Sequence, residues 1–243
     1  MRVHRPVRFL IATALLAVLS ATACTETDTP ATGAARGSAP APAAEAIALP
    51  TSRTDSETSL ETVLLNRRSV RSYRDEPLIL AEVAQLLWAA QGITDPARGY
   101  RTAPSAGALY PLEVYLVAGN VEGLPPGVYR YSPGAHSLTP VKTGDQRDAL
   151  YEAALSQSAV RDAPAVLVIA AVTERTTGKY GERGIRYVHM EAGHAAQNAL
   201  LQAVALDLGA VVIGAFEDDE VRQVVGMPAA EQPLYIVPVG KPQ

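Results

Sequence analysis

Apolar positions between residues 80 and 91 recur every three or four residues, which is the period of an amphipathic helix. These positions are Val83, Leu86, Leu87 and Ala90. Gly92 follows them, and glycine is favoured just past the end of a helix because it tolerates the backbone conformation found there. The spacing therefore predicts a helix over about 80–91 with Gly92 as its C-cap.

Four other stretches predict helices. Thr58 is a suitable N-cap, with Glu61 at the capping-box position, for a helix that runs to about Arg68. The longest helix is predicted over 187–208, where recurring alanines indicate close packing and Gly209 marks the end. Shorter helices are predicted over 145–156 and 217–225.

The apolar runs between these helices predict strands. Residues 164–172 include no polar side chain, so we expect both faces of that strand to be buried in the middle of a sheet. Two short strands, over 128–131 and 137–141, predict a hairpin around Pro133 and Gly134. Because hairpins are mixed with helix–strand alternation, the predicted fold class is α+β, a sheet covered by helices, and not a doubly wound parallel fold. Further strands are predicted over 112–118, 211–216 and 234–239.

The first 23 residues have the features of a secretory signal peptide. Basic residues within the first eight positions precede an apolar run over 9–19, which is too short to span a membrane as a helix. Small residues at Ala21 and Ala23 suit a cleavage site. The sequence therefore predicts removal of residues 1–23 and export to the periplasm or cell exterior.

Cys24, the one cysteine in the chain, would become the new N-terminal residue. Two interpretations stay open: lipidation of Cys24, which would anchor the protein to a membrane, or an ordinary signal peptide with an incidental cysteine. Ala21 stands where a lipidation motif usually has leucine. Residues 24–56 are rich in Ala, Pro, Thr and Ser, so we expect a disordered tether ahead of one folded domain over 57–243.

Composition and motifs exclude several classes of protein. A formal net charge of −4 argues against a protein that follows nucleic-acid phosphates, and a single cysteine excludes an intrachain disulfide framework. The glycine motifs of dinucleotide-binding folds and of phosphate-binding loops do not occur. His189 and His194 are five residues apart, about 140° around a helix, so they do not share a face as metal ligands would, and we expect no metal site.

Two short segments carry the candidate chemistry. Residues 67–73 (RRSVRSY) bring together three guanidinium groups and two serine hydroxyl groups, which can bind a phosphate, although a basic helix end explains them equally well. Residues 103–111 (APSAGALYP) combine small residues, which let the backbone approach a flat ligand, with stiffening prolines. An ordinary turn is the alternative for this second segment.

In this order, the two segments resemble motifs of the FMN-dependent nitroreductase superfamily. They are most similar to the branch of SagB-type dehydrogenases, which includes the azoline oxidases of peptide tailoring. Three later segments agree with the resemblance, which covers about residues 57–240: KYG at 179–181, GHAAQN at 193–198 and GAVVIGAF at 209–216. The resemblance implies a nitroreductase-like mixed or antiparallel sheet flanked by helices, an intertwined homodimer and non-covalently bound FMN.

The resemblance also implies cofactor-binding roles for single residues. Arg67 and Ser69 would bind the FMN phosphate, with Arg68 in the same segment. Arg71 would lie near the N1/O2 edge of the ring, where a cation stabilises reduced flavin. Gln197 and Asn198 would either contact the cofactor or satisfy a buried interface, and both interpretations stay open. The residues that would approach the ring are Pro104, Ser105, Ala106, Gly107, Ile213, Gly214 and Ala215.

Azoline-oxidising members have a Lys-Tyr pair linked to catalysis, and Lys179-Tyr180 matches it. Lysine can act as a base if partial burial lowers its pKa, and tyrosine can orient or relay a proton. Flanking glycines place the pair on a predicted loop, and a surface lysine beside a packed tyrosine is the alternative. Family members often end with basic residues that reach the phosphate, a position for which this chain offers Lys241.

The leading functional prediction is an exported FMN-dependent oxidoreductase of the SagB type, which passes hydride from a small heterocyclic or peptide-derived substrate to flavin N5. One alternative is a nitroreductase or flavin reductase that uses NAD(P)H. Export argues against it, because reduced nicotinamides are scarce outside the cytoplasm. The other alternative is a non-catalytic binding module tethered at the cell surface.

Overall fold

A computed structural model describes residues 45–243, and a seven-stranded sheet forms its centre. Every pair of neighbouring strands in this sheet is antiparallel, and two small two-stranded pairs lie outside it. The strands are β1 (Ile47–Ala48), β2 (Leu78–Ile79), β3 (Ile93–Asp95), β4 (Tyr100–Arg101), β5 (Leu112–Ala118), β6 (Val121–Glu122), β7 (Gly127–Ser132), β8 (Ser137–Thr143), β9 (Ala165–Ala171), β10 (Gly209–Ala210) and β11 (Gln232–Gly240). The order in the sheet is β1-β8-β7-β5-β9-β11-β10.

Strand β9 lies in the interior of the sheet, where it pairs with β5 on one side and β11 on the other. All seven of its residues are buried, so the strand predicted from the apolar run at 164–172 is confirmed. Alternation along β5 sends Leu116 to one face of the sheet and Tyr115 to the other, where each joins a separate hydrophobic cluster. The sheet is therefore covered on both faces.

Residues 45–243 form seven α-helices: α1 (Leu60–Asn66), α2 (Leu80–Gln91), α3 (Arg147–Ala153), α4 (Ser158–Asp162), α5 (Glu174–Tyr180), α6 (Arg183–Ala205) and α7 (Asp218–Val225). Helices α2 and α6 pack on one face, where Leu87 and Ala195 are fully buried. Helices α3, α4 and α7 pack on the other, through Leu150, Val160 and Val221. The helix at 80–91 with its Gly92 cap, and the α+β class with helices flanking an antiparallel sheet, are confirmed.

Several elements differ from the predictions, and the longest helix, for example, runs over Arg183–Ala205 and not over 187–208. The N-cap of α1 is Ser59, whose hydroxyl accepts from the Thr62 N–H, and not Thr58. Helix α3 ends at Ala153, because the backbone turns left-handed at Leu155. The apolar run at 211–216 does not form a regular strand, but its first residues continue the pairing of β10 with β11. The Val211 N–H donates to the Pro238 oxygen at 3.3 Å, and Ile213 exchanges two backbone hydrogen bonds with Ile236.

The predicted tether is too long at its C-terminal end. Strand β1 pairs with β8 at the edge of the sheet, and Leu49 is buried against the core. The backbone of Arg53 exchanges two hydrogen bonds with the side chain of Gln85 on α2. Residues 45–56 therefore belong to the folded unit. The predicted signal peptide, Cys24 and the rest of the tether up to residue 44 lie outside the described residues.

Candidate functional site

The loop 103–111 enters the sheet at the first residue of β5 and includes a short 3-10 turn at Ala106–Ala108. Gly107 has a φ of +64°, a backbone conformation that favours glycine. A Cβ atom at this position would lie 2.7 Å from Tyr180 Oη and 2.8 Å from Lys179 Nζ. The fold therefore brings the small-residue loop and the Lys-Tyr pair into direct contact, although about 70 residues separate them in the sequence.

The Lys-Tyr pair lies in the last turn of α5, and not on the predicted loop. Gly181 ends that helix with a φ of +57°. Lys179 is exposed, so the partial burial expected for a lysine base is not found. Its Nζ lies 5.3 Å from the centre of the Tyr180 ring, which contacts Tyr187 of α6 edge to face. This packing fixes the ring and leaves the ammonium group accessible.

Arg175, one helical turn before Lys179, joins α5 to the loop. Its guanidinium donates to the Tyr110 main-chain oxygen at 3.1 Å and pairs with Glu113 at 2.6 Å. Glu113 also pairs with Arg130 at 2.9 Å, which in turn pairs with the buried Glu231. The sequence analysis missed Arg175, because ion pairs between residues so far apart in the chain leave no local pattern.

Ser105 turns its hydroxyl into the protein. The hydroxyl oxygen accepts from the Tyr110 N–H at 2.9 Å, and Glu191 of α6 lies nearby. Glu191 is 2% exposed, and one of its oxygens has no partner among the described residues. Burial raises the pKa of Glu191 to about 7, against the lowering effects of the Ser105 hydroxyl and of Arg101.

Glu191 is the second residue that sequence reasoning missed. It lies on the same stripe of α6 as the buried Val188, Ala192 and Ala195. A single carboxyl within an apolar helical stripe is a readable signal, because an unpaired charge at such a position is costly.

We expect Glu191→Gln to stabilise the protein at pH 8 relative to the unsubstituted chain. A raised folded-state pKa means that Glu191 supports folding at pH below its ordinary pKa and loses that contribution as pH rises through 7. The amide removes the cost of ionisation. The difference in unfolding free energy between Glu191→Gln and the unsubstituted protein should therefore shift by about 2 kcal/mol in favour of the variant from pH 5 to pH 8. Urea unfolding at both pH values measures it, with the exposed Glu152→Gln as the control. An equal gap at both pH values would contradict the assignment.

The segment 67–73 lies at the other end of the sheet. Ser69 bridges Ala210 of β10, where the Val70 N–H donates to the Ala210 oxygen at 3.0 Å. Arg71 is exposed and Arg67 is half-buried, and within residues 45–243 neither has a carboxylate in ion-pair range. Their guanidinium groups are therefore available to an anion.

Arg68 differs from Arg67 and Arg71, because one nitrogen of its exposed guanidinium is engaged within the chain. Its guanidinium donates to the main-chain oxygens of Leu65 at 2.9 Å and of Arg67 at 2.8 Å. It therefore caps the C-terminal end of α1, where unpaired carbonyl groups attract a cation. Of the two interpretations of the basic cluster, the helix-end one fits Arg68.

Lys241 reaches the same end of the sheet as Ser69 but is engaged there. Its Nζ pairs with Glu76 at 3.2 Å, and its main-chain oxygen accepts from the Arg74 N–H at 2.9 Å. A groove of about 710 Å³ runs beside this region. Any anion in reach of Lys241 would compete with Glu76 for it.

The other predicted contacts are distributed along β10 and α6. Gly214 is exposed, and a Cβ there would lie 3.6 Å from the Tyr235 ring, whereas the Ala215 oxygen already accepts from the Gln157 side chain at 2.8 Å. Asn198 donates to the Thr102 oxygen at 3.2 Å, which joins α6 to the start of the loop, and Gln197 is exposed. This hydrogen bond is the contact expected of Asn198 if it satisfies a buried interface.

The register of the sheet separates the two parts of the candidate site. The loop precedes Leu112 at one end of β5, whereas Ser69 lies level with Ala118 at the other end, across β9, β11 and β10. The two parts are thus displaced by about seven residues along the strands and by four strand spacings across them, a separation of at least about 25 Å. We call the part with Arg67, Ser69 and Arg71 the anion half, and the part with the loop 103–111, Lys179 and Tyr180 the lysine half.

Known proteins share both the sequence and the fold. The nitroreductase MJ1384 of Methanocaldococcus jannaschii is 50% identical over 185 residues, which cover 76% of this chain and 92% of that protein. A crystal structure of a nitroreductase from Ralstonia eutropha has a TM-score of 0.71 at 29% identity and covers 86% of this chain and 96% of its own.

The microcin B17-processing protein McbC of Escherichia coli is 32% identical over 155 residues, 62% of this chain but 57% of McbC. The solved E. coli McbBCD microcin synthetase complex, with truncated pro-MccB17 bound, has a TM-score of 0.63 at 29% identity over 74% of this chain and 72% of that one. A model of the Nitroreductase family matches residues 64–241, which include both halves of the candidate site. Sequence and fold therefore agree that this chain belongs to the nitroreductase family.

Proposed function

We propose that this protein is an FMN-dependent dehydrogenase of the SagB type that oxidises a small heterocyclic or peptide-derived substrate. The observation that carries the proposal is the contact of Gly107 with Lys179 Nζ and Tyr180 Oη, which puts an accessible amine beside a small-residue loop. The likeness to McbC, and to a synthetase complex solved with a peptide, supports a peptide-derived substrate.

The anion half fits the phosphate of FMN. A phosphate monoester carries close to two negative charges at neutral pH, and guanidinium and hydroxyl groups bind such an anion through strong charge-assisted hydrogen bonds. Arg67 and Ser69 would hold the phosphate, Arg71 would face the polar edge of the ring, and exposed Gly214 would offer main-chain groups. When bound, FMN supplies an acceptor for two electrons and one hydrogen of the substrate.

Dehydrogenation also releases a proton, and this part falls to the protein's own residues. Lys179 in its neutral form would accept that proton at Nζ. Tyr180, held by its edge-to-face contact with Tyr187, would orient the substrate or pass the proton on. Because Gly107 has no side chain, nothing at that position separates the Lys179 amine and the Tyr180 hydroxyl from a ligand that approaches the loop.

A second copy of the chain would complete the site. The two halves lie about 25 Å apart in one chain, which is further than one FMN reaches. Exposed apolar side chains occur on α1 and α6: Leu60, Leu64, Leu65, Ile185 and Met190, of which Leu65 is 71% exposed. Apolar groups of this size on two helices favour burial against another protein surface. We therefore propose a homodimer in which each FMN meets the anion half of one copy and the lysine half of the other.

Arg67→Ala should weaken FMN binding by about 1.5–3 kcal/mol, because it removes a charge-assisted bond to the phosphate. Arg68→Ala is the matched control: it removes the same group one residue away, but from the cap of α1, so FMN affinity should stay within about twofold. Quenching of FMN fluorescence on titration with protein measures both. Unchanged affinity in Arg67→Ala, or an equal loss in Arg68→Ala, would reject the phosphate role of Arg67.

An NAD(P)H-dependent nitroreductase is the second candidate, favoured by the 50% identity to the nitroreductase MJ1384. An anaerobic screen of the FMN-loaded protein separates the two. Rapid bleaching by NADPH would support the reductase, and bleaching by a thiazoline- or oxazoline-bearing peptide would support the dehydrogenase. A protein that takes up no FMN would support a binding module without catalysis.

Export and anchoring are proposals that rest on the first 24 residues. A signal peptide followed by lipidated Cys24 would place the enzyme on the outer side of a membrane, where oxygen or a quinone could reoxidise it. Among residues 45–243 no helix has the length and apolar content needed to cross a membrane. Cys24→Ser should move the protein from the membrane fraction to the soluble fraction if Cys24 carries a lipid.

A further inference from the structure

Helix α5 runs back along the loop 103–111 and meets it at two places. The Arg175 guanidinium donates to the Tyr110 oxygen at 3.1 Å, and Lys179 lies against Gly107. Arg175 and Lys179 are four residues apart, so they share one face of the helix at a spacing of about 6 Å. Within residues 45–243, the bond from Arg175 is the one side-chain hydrogen bond that joins α5 to this loop.

Apolar burial contributes little to the position of α5 against the loop. Thr176 is the one buried residue among the seven of this helix. On its other side α5 rests on α6 through a close approach of the two backbones, since a Cβ at Gly184 would lie 2.9 Å from the Thr177 Cα. The position of α5 relative to the loop therefore depends on polar contacts, which Arg175 supplies.

The backbone of the loop is strained where Arg175 binds it. Tyr110 has a φ of +47° and Ala108 a φ of +54°, in the left-handed region that residues with a Cβ rarely adopt. Such a conformation persists only when the contacts around it hold it in place. The Tyr110 N–H donates to the Ser105 hydroxyl oxygen at 2.9 Å, and the Tyr110 ring centre lies 4.6 Å from the Arg101 guanidinium. The bond from Arg175 to the Tyr110 oxygen completes this set.

Arg175 is itself anchored to the sheet. Its Nη2 pairs with Glu113 of β5 at 2.6 Å, and Glu113 pairs with Arg130 of β7 at 2.9 Å. Arg130 also pairs at 3.0 Å with Glu231, which is 3% exposed and accepts from the Tyr115 hydroxyl at 2.6 Å. A network of charges with a buried end holds its geometry better than a single exposed ion pair does. The Arg175 guanidinium is therefore a fixed point from which the loop can be held.

We propose that Arg175 is a positioning residue: it holds the strained backbone at Tyr110 and thereby keeps Gly107 against the Lys-Tyr pair. Without the guanidinium, Tyr110 relaxes towards a negative φ, and the turn that carries Gly107 moves with it. The effect on the loop stands on these contacts alone. Its consequence for catalysis rests on the proposed function of the lysine half.

Hydrogen exchange of the loop amides, measured on the purified protein without added flavin, tests the effect on the loop. Peptides that cover 105–110 are followed by mass spectrometry in Arg175→Ala and in Arg175→Met, which keeps most of the aliphatic stem and removes the charge. Arg147→Ala is the matched control. Arg147 also bonds one main-chain oxygen and one carboxylate, those of Ala163 at 3.0 Å and of Asp145 at 2.6 Å, but at the start of β9, whereas α5 follows the end of that strand.

We expect protection of the loop amides to fall about tenfold in both Arg175 variants, and to stay within about twofold of the unsubstituted protein in Arg147→Ala. If Arg175→Ala does not fold, Arg175→Met decides the matter. Equal protection in the Arg175 variants and the unsubstituted protein would overturn the proposal. An equal loss in Arg147→Ala would do the same, because it would reveal a general loss of stability.

The catalytic consequence is measured on the FMN-loaded protein with the donor identified in the anaerobic screen. A positioning role predicts that the maximal bleaching rate of Arg175→Ala falls about tenfold, while the half-saturating donor concentration and the affinity for FMN stay within about twofold. A loosened loop with an unchanged maximal rate would contradict that role. Since the exchange experiment needs no flavin, it decides the effect on the loop even when no donor bleaches the flavin, an outcome that would reject the proposed function instead.

Discussion

Lys179→Ala should lower the rate of substrate oxidation by about 100-fold or more, while FMN affinity stays unchanged. The variant removes the amine that would accept the substrate proton, and a positioned general base typically contributes a factor of that size. The arginines that would hold the FMN phosphate belong to the anion half, so the substitution of the exposed Lys179 leaves those contacts in place. The measurement is the anaerobic bleaching rate of FMN-loaded protein with the donor identified in the screen.

Arg183→Ala is the control for this experiment. Arg183 is also exposed and basic, and it lies in the first turn of α6, one helical turn after Lys179. Its guanidinium lies 5.9 Å from the centre of the Tyr187 ring. Its removal should leave the bleaching rate within about twofold. Equal rates for Lys179→Ala and the unsubstituted protein would show that the amine takes no part in the chemistry.

Gly107→Ala should also reduce turnover by about 100-fold, but at small cost in stability. The added Cβ would lie 2.7–2.8 Å from Tyr180 Oη and Lys179 Nζ, so both tips must move away from the loop. A displacement near 1 Å of catalytic groups costs roughly that factor in rate. The atoms that must move are the ends of flexible side chains, so the unfolding free energy should fall by only about 1–2 kcal/mol, from the left-handed backbone.

Gly178→Ala provides the matched substitution. Gly178 lies inside α5 beside Lys179, and nothing lies within 4 Å of where its Cβ would be. Alanine should stabilise the helix by about 0.5–1 kcal/mol and leave turnover unchanged. Stopped-flow bleaching and urea unfolding of both variants separate the two effects. A Gly107→Ala variant with full turnover would mean that the contact with Lys179 and Tyr180 has no catalytic role.

The sequence predicts best those elements in which every position fits a single pattern of buried and exposed residues. Strand β9 is apolar at every position, and this pattern predicts a strand buried on both faces, as the structure has it in the interior of the sheet. Helix α2 repeats its apolar positions over three turns and ends at Gly92. The run at 211–216 is predicted less well: Val211 and Ile213 are buried and bond to β11, but the pairing is irregular and no continuous strand forms.

The candidate site is predictable in its residues but not in its arrangement. The composition of 67–73 and 103–111 indicates which side chains suit a phosphate and which suit a close backbone approach. Their separation of about 25 Å follows from strand register, which no local pattern contains. For the same reason the contacts of Arg175 with Tyr110 and Glu113 become visible only in the folded chain.

The central claim is that two copies of the chain share each FMN, and native mass spectrometry of the purified protein after incubation with FMN tests it most directly. We predict one species of two chains with two FMN molecules. Replacement of Arg67 by alanine should reduce the amount of bound FMN, and dilution that dissociates the dimer should release FMN from the unsubstituted protein. A monomer that carries one FMN, or a dimer that takes up none, would contradict the account.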